Sequence, residues 1–259
     1  MRDKYSPENS RESKEGLDYS LSIIIHRHGE KGSLAGGLSE RGKTDSANFF
    51  EHAYRGVAPN LPEAREVEIE HSPIDRTTQT AMISDEYSDR TVTSVKEEER
   101  LSEGMVAHHK ELIEEWGGVG GRWITPWMSL KERPLPDVKT GQEVVKDFTT
   151  WLLEKINGQK EKGGSKEIDA FSHYPVMISF LLTLEQKMGI ELLPKDWQKE
   201  SNAIKIINYL DSFNLYTDSK DDKTLHFNFR NKNIDIPLEI LESIANPELD
   251  GETSDEMSN

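Results

Sequence analysis

Between two polar ends, the chain alternates short β-branched runs with helix-length amphipathic segments, and nothing else in the sequence constrains its fold as strongly. Strands separated by helices are joined by crossovers, and a parallel sheet buried on both faces is the usual result. "LSIII", "EVEIEHS", "TVTSV" and "EIDAFS" read as strands; "LSERGKTDSANFFEHAYR", "DRTTQTAMISDEY", "GQEVVKDFTTWLLEKI" and "PVMISFLLTLEQKMG" read as helices. Ser39 stands where a helix N-cap is needed, and Val144, Val145, Phe148, Trp151 and Leu152 recur at helical spacing. "NAIKIINYL", "FNLYTD" and "TLHFNFR" read as closing strands, the last two joined by the turn-prone "DSKDDK". The expected fold class is therefore α/β, a three-layer sandwich with a mostly parallel central sheet and helices on both faces.

Residues 1–18 and 246–259 are polar and lack either structural period, so we expect a disordered tail before, and an acidic tail after, a single domain over 19–245. Within it, 104–140 holds glycines, prolines and three tryptophans, the composition of a folded excursion over a site. A hydrophobic fraction of 34% beside 31% charged residues describes a soluble protein. No run reaches the roughly 18 apolar residues of a membrane span. The first residues lack the apolar stretch of a signal peptide, and the absence of cysteine removes disulfides, thiol nucleophiles and thiolate metal sites. A cytoplasmic location is expected. The net charge of -16 argues against nucleic-acid or membrane partners but leaves room for a small anionic substrate where a few cations converge.

Three strand ends supply such cations: Arg27 and His28 after "SIII", Arg76 shortly after "EIEHSP", and His173 directly after "DAFS". Carboxyl ends of parallel strands share one edge of the sheet, the usual place for a site in this class of fold. The markers around them are Arg27-His28-Gly29, "LSxxG" over Leu38 to Gly42, "HSPIDRTTQTA" over 71–81, Leu101-Ser102-Glu103, Gly141-Gln142-Glu143 and Ser172-His173. In this order they resemble the histidine phosphatase superfamily, phosphoglycerate mutase-like branch, over about residues 19–216.

The resemblance implies a phosphoglycerate mutase-like fold and a metal-independent phosphatase, with His28, Glu103 and His173 catalytic and Arg27, Arg76 and His173 binding phosphate. Transfer from a phosphate monoester needs an in-line nucleophile and neutralisation of the equatorial oxygens. Neutral His28 supplies the nucleophile and passes through a phosphohistidine. The two guanidinium forks and a protonated His173 would supply the charge, and Glu103 would protonate the leaving alkoxide. No cofactor or metal is implied. His26 falls on the opposite face of its strand from Arg27. The chain departs from the family at Lys31, at Asp45-Ser46 in place of Gln-Ala, and at Tyr174-Pro175 in place of glycine. Lys31, Tyr174 and Arg122, with Trp123 and Trp127 beside Arg122 in the excursion, are possible substrate contacts, the substrate being a phosphorylated small molecule or a phosphoprotein. A phosphomutase and a non-catalytic phosphate-binding module remain alternatives, and the oligomeric state stays open.

Overall fold

Apolar alternation makes "YSLSIIIHR" the central strand of the molecule. A computed structural model describes residues 19–32, 36–55, 66–88, 90–104, 109–116, 122–195, 207–218 and 220–247. In it β1 spans Tyr19–Arg27, with Leu21, Ile23 and Ile25 fully buried. Two outer segments flank it: β2 (Glu66–His71), β3 (Thr91–Glu97) and β4 (Lys166–Ser172) on one side, and β5 (Ser212–Asp218), β6 (Thr224–Phe229) and β7 (Lys232–Pro237) on the other. The seven-stranded order is β3-β2-β4-β1-β5-β6-β7.

The expected mostly parallel sheet is corrected here to a mixed one. The pairings β3-β2, β2-β4 and β4-β1 are parallel, whereas β1-β5, β5-β6 and β6-β7 are antiparallel. Alternation of side chains is the same in either direction, so composition alone cannot distinguish them. β7 was not expected. It is joined to β6 through Arg230 and Asn231, with Arg230 at φ 55 and Phe229 paired with Lys232. A left-handed residue in a two-residue turn matches the twist of a hairpin. The expected strand "NAIKIINYL" lies outside the described residues over 202–206, and its described end, 207–210, is bend and turn.

The helices are α1 (Glu40–Arg55), α2 (Asp75–Tyr87), α3 (His109–Glu115), α4 (Ile124–Met128), α5 (Gly141–Lys162), α6 (Tyr174–Met188) and α7 (Leu238–Ala245). α5 begins in a capping box: Thr140 Oγ1 accepts from Glu143 N at 3.1 Å, and Glu143 Oε2 accepts from Thr140 N at 2.8 Å. Its residues Val144, Val145, Phe148, Trp151 and Leu152 are all buried, as the spacing predicts. One apolar cluster joins α5, α6 and α7 to Ile23, Ile25, Ile168 and Ala170; a smaller one joins Phe50 of α1 and Ala81 of α2 to Ile69 and Phe171. Strand alternation separates these two sets. Among the described residues no helix is long and apolar enough to cross a membrane. Residues 1–18 and 248–259 lie outside the described residues.

Candidate active site

Register brings the strand ends level: Arg27 pairs with Ser172, and His71 pairs with Phe171 one step earlier. The main chain then continues the ladder, with His28 N donating to Ser172 O at 3.1 Å and Ser72 N to Phe171 O at 3.1 Å. His28 leaves β1, Arg76 sits in the first turn of α2, and His173 is the residue on which α6 starts. Glu103 reaches the same place because Ser172 Oγ donates to Leu101 O at 2.7 Å, tying its segment to the end of β4.

Arg76 joins them. Its Nε donates to His28 Nε2 at 3.0 Å, and its Nη2 donates to Glu103 Oε1 at 2.9 Å and to His173 Nδ1 at 3.1 Å. All four side chains are buried. A guanidinium only donates, so both imidazole nitrogens facing it carry lone pairs. His28 Nδ1 lies 2.7 Å from Gly29 O, which only accepts, and must therefore hold the proton. His173 Nε2 donates to Ser72 Oγ at 2.9 Å. Both histidines are thus neutral, in opposite tautomers. Burial first, then the charges of Arg76 and Arg27, holds His28 well below the ordinary imidazole range. The expectation of a protonated His173 does not describe this arrangement, because its Nδ1 accepts from Arg76.

Arg27 is fixed differently. Its Nη1 donates to Ile207 O, and its guanidinium lies 4.2 Å from the ring centre of Tyr209 and 5.1 Å from that of Tyr174. Tyr209 was not anticipated from the sequence. Its loop is set by Leu210 at φ 66, by Leu210 N donating to Arg27 O at 3.2 Å, and by Arg27 N donating to Asp211 O at 2.9 Å. Ser72 was likewise quoted within a motif without a role, yet it orients His173.

The motifs have local physical reasons. Ser39 Oγ accepts from Gly42 N at 2.8 Å, capping α1. A Cβ on Gly42 would lie 2.1 Å from Glu30 O, so only glycine permits this approach of helix to loop. Thr80 Oγ1 accepts from Gly29 N at 3.1 Å and Gln79 Oε1 from Leu38 N at 2.7 Å, so α2 buttresses the loop after β1. Buried Ser46, one of the family departures, sits beneath Gly29, where a Cβ would come within 2.5 Å of its Oγ.

A cleft at this edge is lined by Arg27, His28, Lys31, Arg76, Glu103, Trp123, Tyr174 and Pro175. Of the expected contacts, Lys31, Tyr174 and Trp123 line this cleft, whereas Arg122 is exposed and does not. Within the expected excursion, 105–108 and 117–121 lie outside the described residues, His108 among them. His26 is buried on the opposite face, its ring stacked 5.1 Å from that of Phe171. Among the described residues no group of three or more histidines and carboxylates is placed to hold a metal.

Neither a protein-family model nor a curated protein sequence matches the chain. Among solved structures it is similar to mycobacterial hydrolase 1, at 15% identity and TM-score 0.50 over 82% of this chain and 99% of that one. A mycobacterial glucosyl-3-phosphoglycerate phosphatase follows at 16% identity and TM-score 0.48, over 82% and 99%. The protein histidine phosphatase SixA, complexed with tungstate, follows at 14% and 0.41, over 80% and 94%. At such identities the likeness is one of fold, and the fold is phosphoglycerate mutase-like.

Proposed function

We propose that the protein is a metal-independent phosphatase that cleaves a phosphate monoester through a phosphohistidine on His28. The observation that carries this reading is the single buried constellation in which Arg76 touches His28 Nε2, Glu103 and His173 at once. Burial and neighbouring cations keep His28 neutral, with the Nε2 lone pair turned to Arg76, which lines the cleft beside it. That is the state a nitrogen nucleophile needs.

In the first step Nε2 attacks phosphorus as the bond to the ester oxygen breaks, and Glu103 gives its proton to the departing alkoxide. Arg76 exchanges its nitrogen contacts for phosphoryl oxygens, beside the Arg27 fork. The start of α6 behind His173 adds the partial positive charge of a helix N-terminus. In the second step water attacks the phosphohistidine, returns a proton to Glu103 and releases inorganic phosphate. We read the two apolar clusters as the outer layers of a three-layer sandwich that holds these strand ends rigid.

Phosphate release from an aryl phosphate, assayed with and without chelator, tests this reading against a His28→Ala variant. Turnover that survives chelation and vanishes with His28 is expected. A folded wild type that binds phosphate but releases none from any ester would assign the site to a non-catalytic module.

A further inference from the structure

The cleft lining divides into two chemical halves. Arg27, His28, Arg76 and Glu103 form a polar floor, and the charges acting on half-buried Lys31 are those of Arg76, Glu103 and Arg27, which sets it with them. The remaining described lining is Trp123, Tyr174 and Pro175: two aromatic rings and a pyrrolidine. The ester oxygen leaves in line with the attacking nitrogen, so the alcohol lies away from His28, and the uncharged surface that the described lining offers it is that of Trp123, Tyr174 and Pro175.

We infer that the substrate is a phosphate monoester of a flat, uncharged alcohol, an aryl or arylmethyl phosphate, whose ring packs against Trp123, Tyr174 and Pro175. The inference rests on the phosphatase reading and names the substrate class for the same site. Both rings are held before anything binds. Buried Trp123 lies 5.5 Å from the ring of Trp127, whose Nε1 donates to Lys139 O at 2.9 Å. Tyr174 is packed over Arg27 and is followed by Pro175 in the first turn of α6. Fixed aromatic surfaces lose little freedom on contact with a ligand and reward a flat partner. A carboxylate or second phosphate on the alcohol would meet no charged residue in that half of the described lining. It would also bring further negative charge to a chain of net charge -16.

The test separates ligand class from chemistry by using phosphonates, which cannot be hydrolysed. Calorimetry on the full chain should show benzylphosphonate binding roughly three- to tenfold more tightly than methylphosphonate, the increment expected of an aromatic contact. Trp123→Leu should erase most of the difference, and retained methylphosphonate binding shows that the variant is folded. Equal affinities in the wild type would overturn the inference and leave the phosphatase reading intact. In turnover, benzyl phosphate and 3-phosphoglycerate both expel an alkoxide, so their ratio of kcat/KM reports recognition. A preference of roughly tenfold for benzyl phosphate is expected, and the opposite order would overturn the inference. A phosphotyrosyl peptide outrunning free phenyl phosphate would place the ring on a protein, and the reverse would place it on a free metabolite; either supports the class. Preference for benzylphosphonate with no release from any ester would defeat the phosphatase reading alone.

Discussion

Arg76 Nε donates to His28 Nε2 at 3.0 Å, so the cation that would hold the phosphoryl group rests on the nitrogen that would attack it. Removing Arg76 therefore exposes the nucleophile and strips the site of a donor together. Arg76→Ala should lower kcat/KM for an aryl phosphate by about 10²–10³, the usual cost of losing a charge-stabilising donor. Arg76→Lys keeps the charge but not the planar fork and should remain well below wild type. Steady-state kinetics on folded variants check both.

Glu103 is distinguished from its acidic neighbours by leaving-group dependence. With a general acid removed, an alkoxide leaves poorly while 4-nitrophenolate hardly needs the proton. Glu103→Gln should slow the first turnover of benzyl phosphate by about 10²–10⁴ and the burst of 4-nitrophenol far less. Equal losses on the two esters would remove Glu103 from that role.

Tyr209 positions Arg27 without lining the cleft. Its ring lies 4.2 Å from the guanidinium, a contact worth roughly 0.5–2 kcal/mol when desolvated. Tyr209→Ala should raise KM several-fold with a smaller change in kcat, whereas Tyr209→Phe should behave as wild type. A loss confined to kcat would contradict a positioning role.

His26 predicts acid sensitivity of the fold. Burial, partly opposed by Asp169 and reinforced by Arg90, lowers its pKa from 6.5 to about 4. As pH falls through that window the unfolded chain takes up a proton that the folded chain refuses, so stability decreases, by up to about 3 kcal/mol. His26→Phe, seated among Phe49, Phe50 and Phe171, should flatten the curve between these limits. Denaturant melts of both proteins across the window give the difference, which cancels the contribution of His28.

Gly42→Ala should lower Tm by several degrees, because a Cβ 2.1 Å from Glu30 O forces α1 and the loop apart at a cost of roughly 1–3 kcal/mol. Thermal denaturation is sufficient, and an unchanged Tm would show that the contact relaxes freely.

Most of the site was legible because its parts follow strands of marked apolar pattern. "SIII" before Arg27-His28 and "DAFS" before His173 fix both the element and the position at its end. Tyr209 was not legible, since its place depends on a left-handed Leu210 and on main-chain bonds to a strand distant in sequence. Trp123 was named together with Arg122 and Trp127 and could not be singled out, because in an irregular segment neither period tells which neighbour points inward. The direction of β5 was hidden for a related reason: alternation records a buried face, not polarity. β7, "KNIDIP", carries lysine, aspartate and a proline, the residues of a sheet edge, and so resembles a loop.

The main chain at Arg27 and His28 is bonded on one side to Ser172 and on the other to Leu210 and Asp211. During synthesis the ribosome delivers His28 well before either of these supports. An emerging chain therefore holds His28 and Arg76 for a time without the frame that aligns them. On the phosphatase reading proposed above, the site is complete only once residue 211 has cleared the exit tunnel, and a product truncated before that point would carry every phosphate ligand named here without the main-chain frame that aligns them.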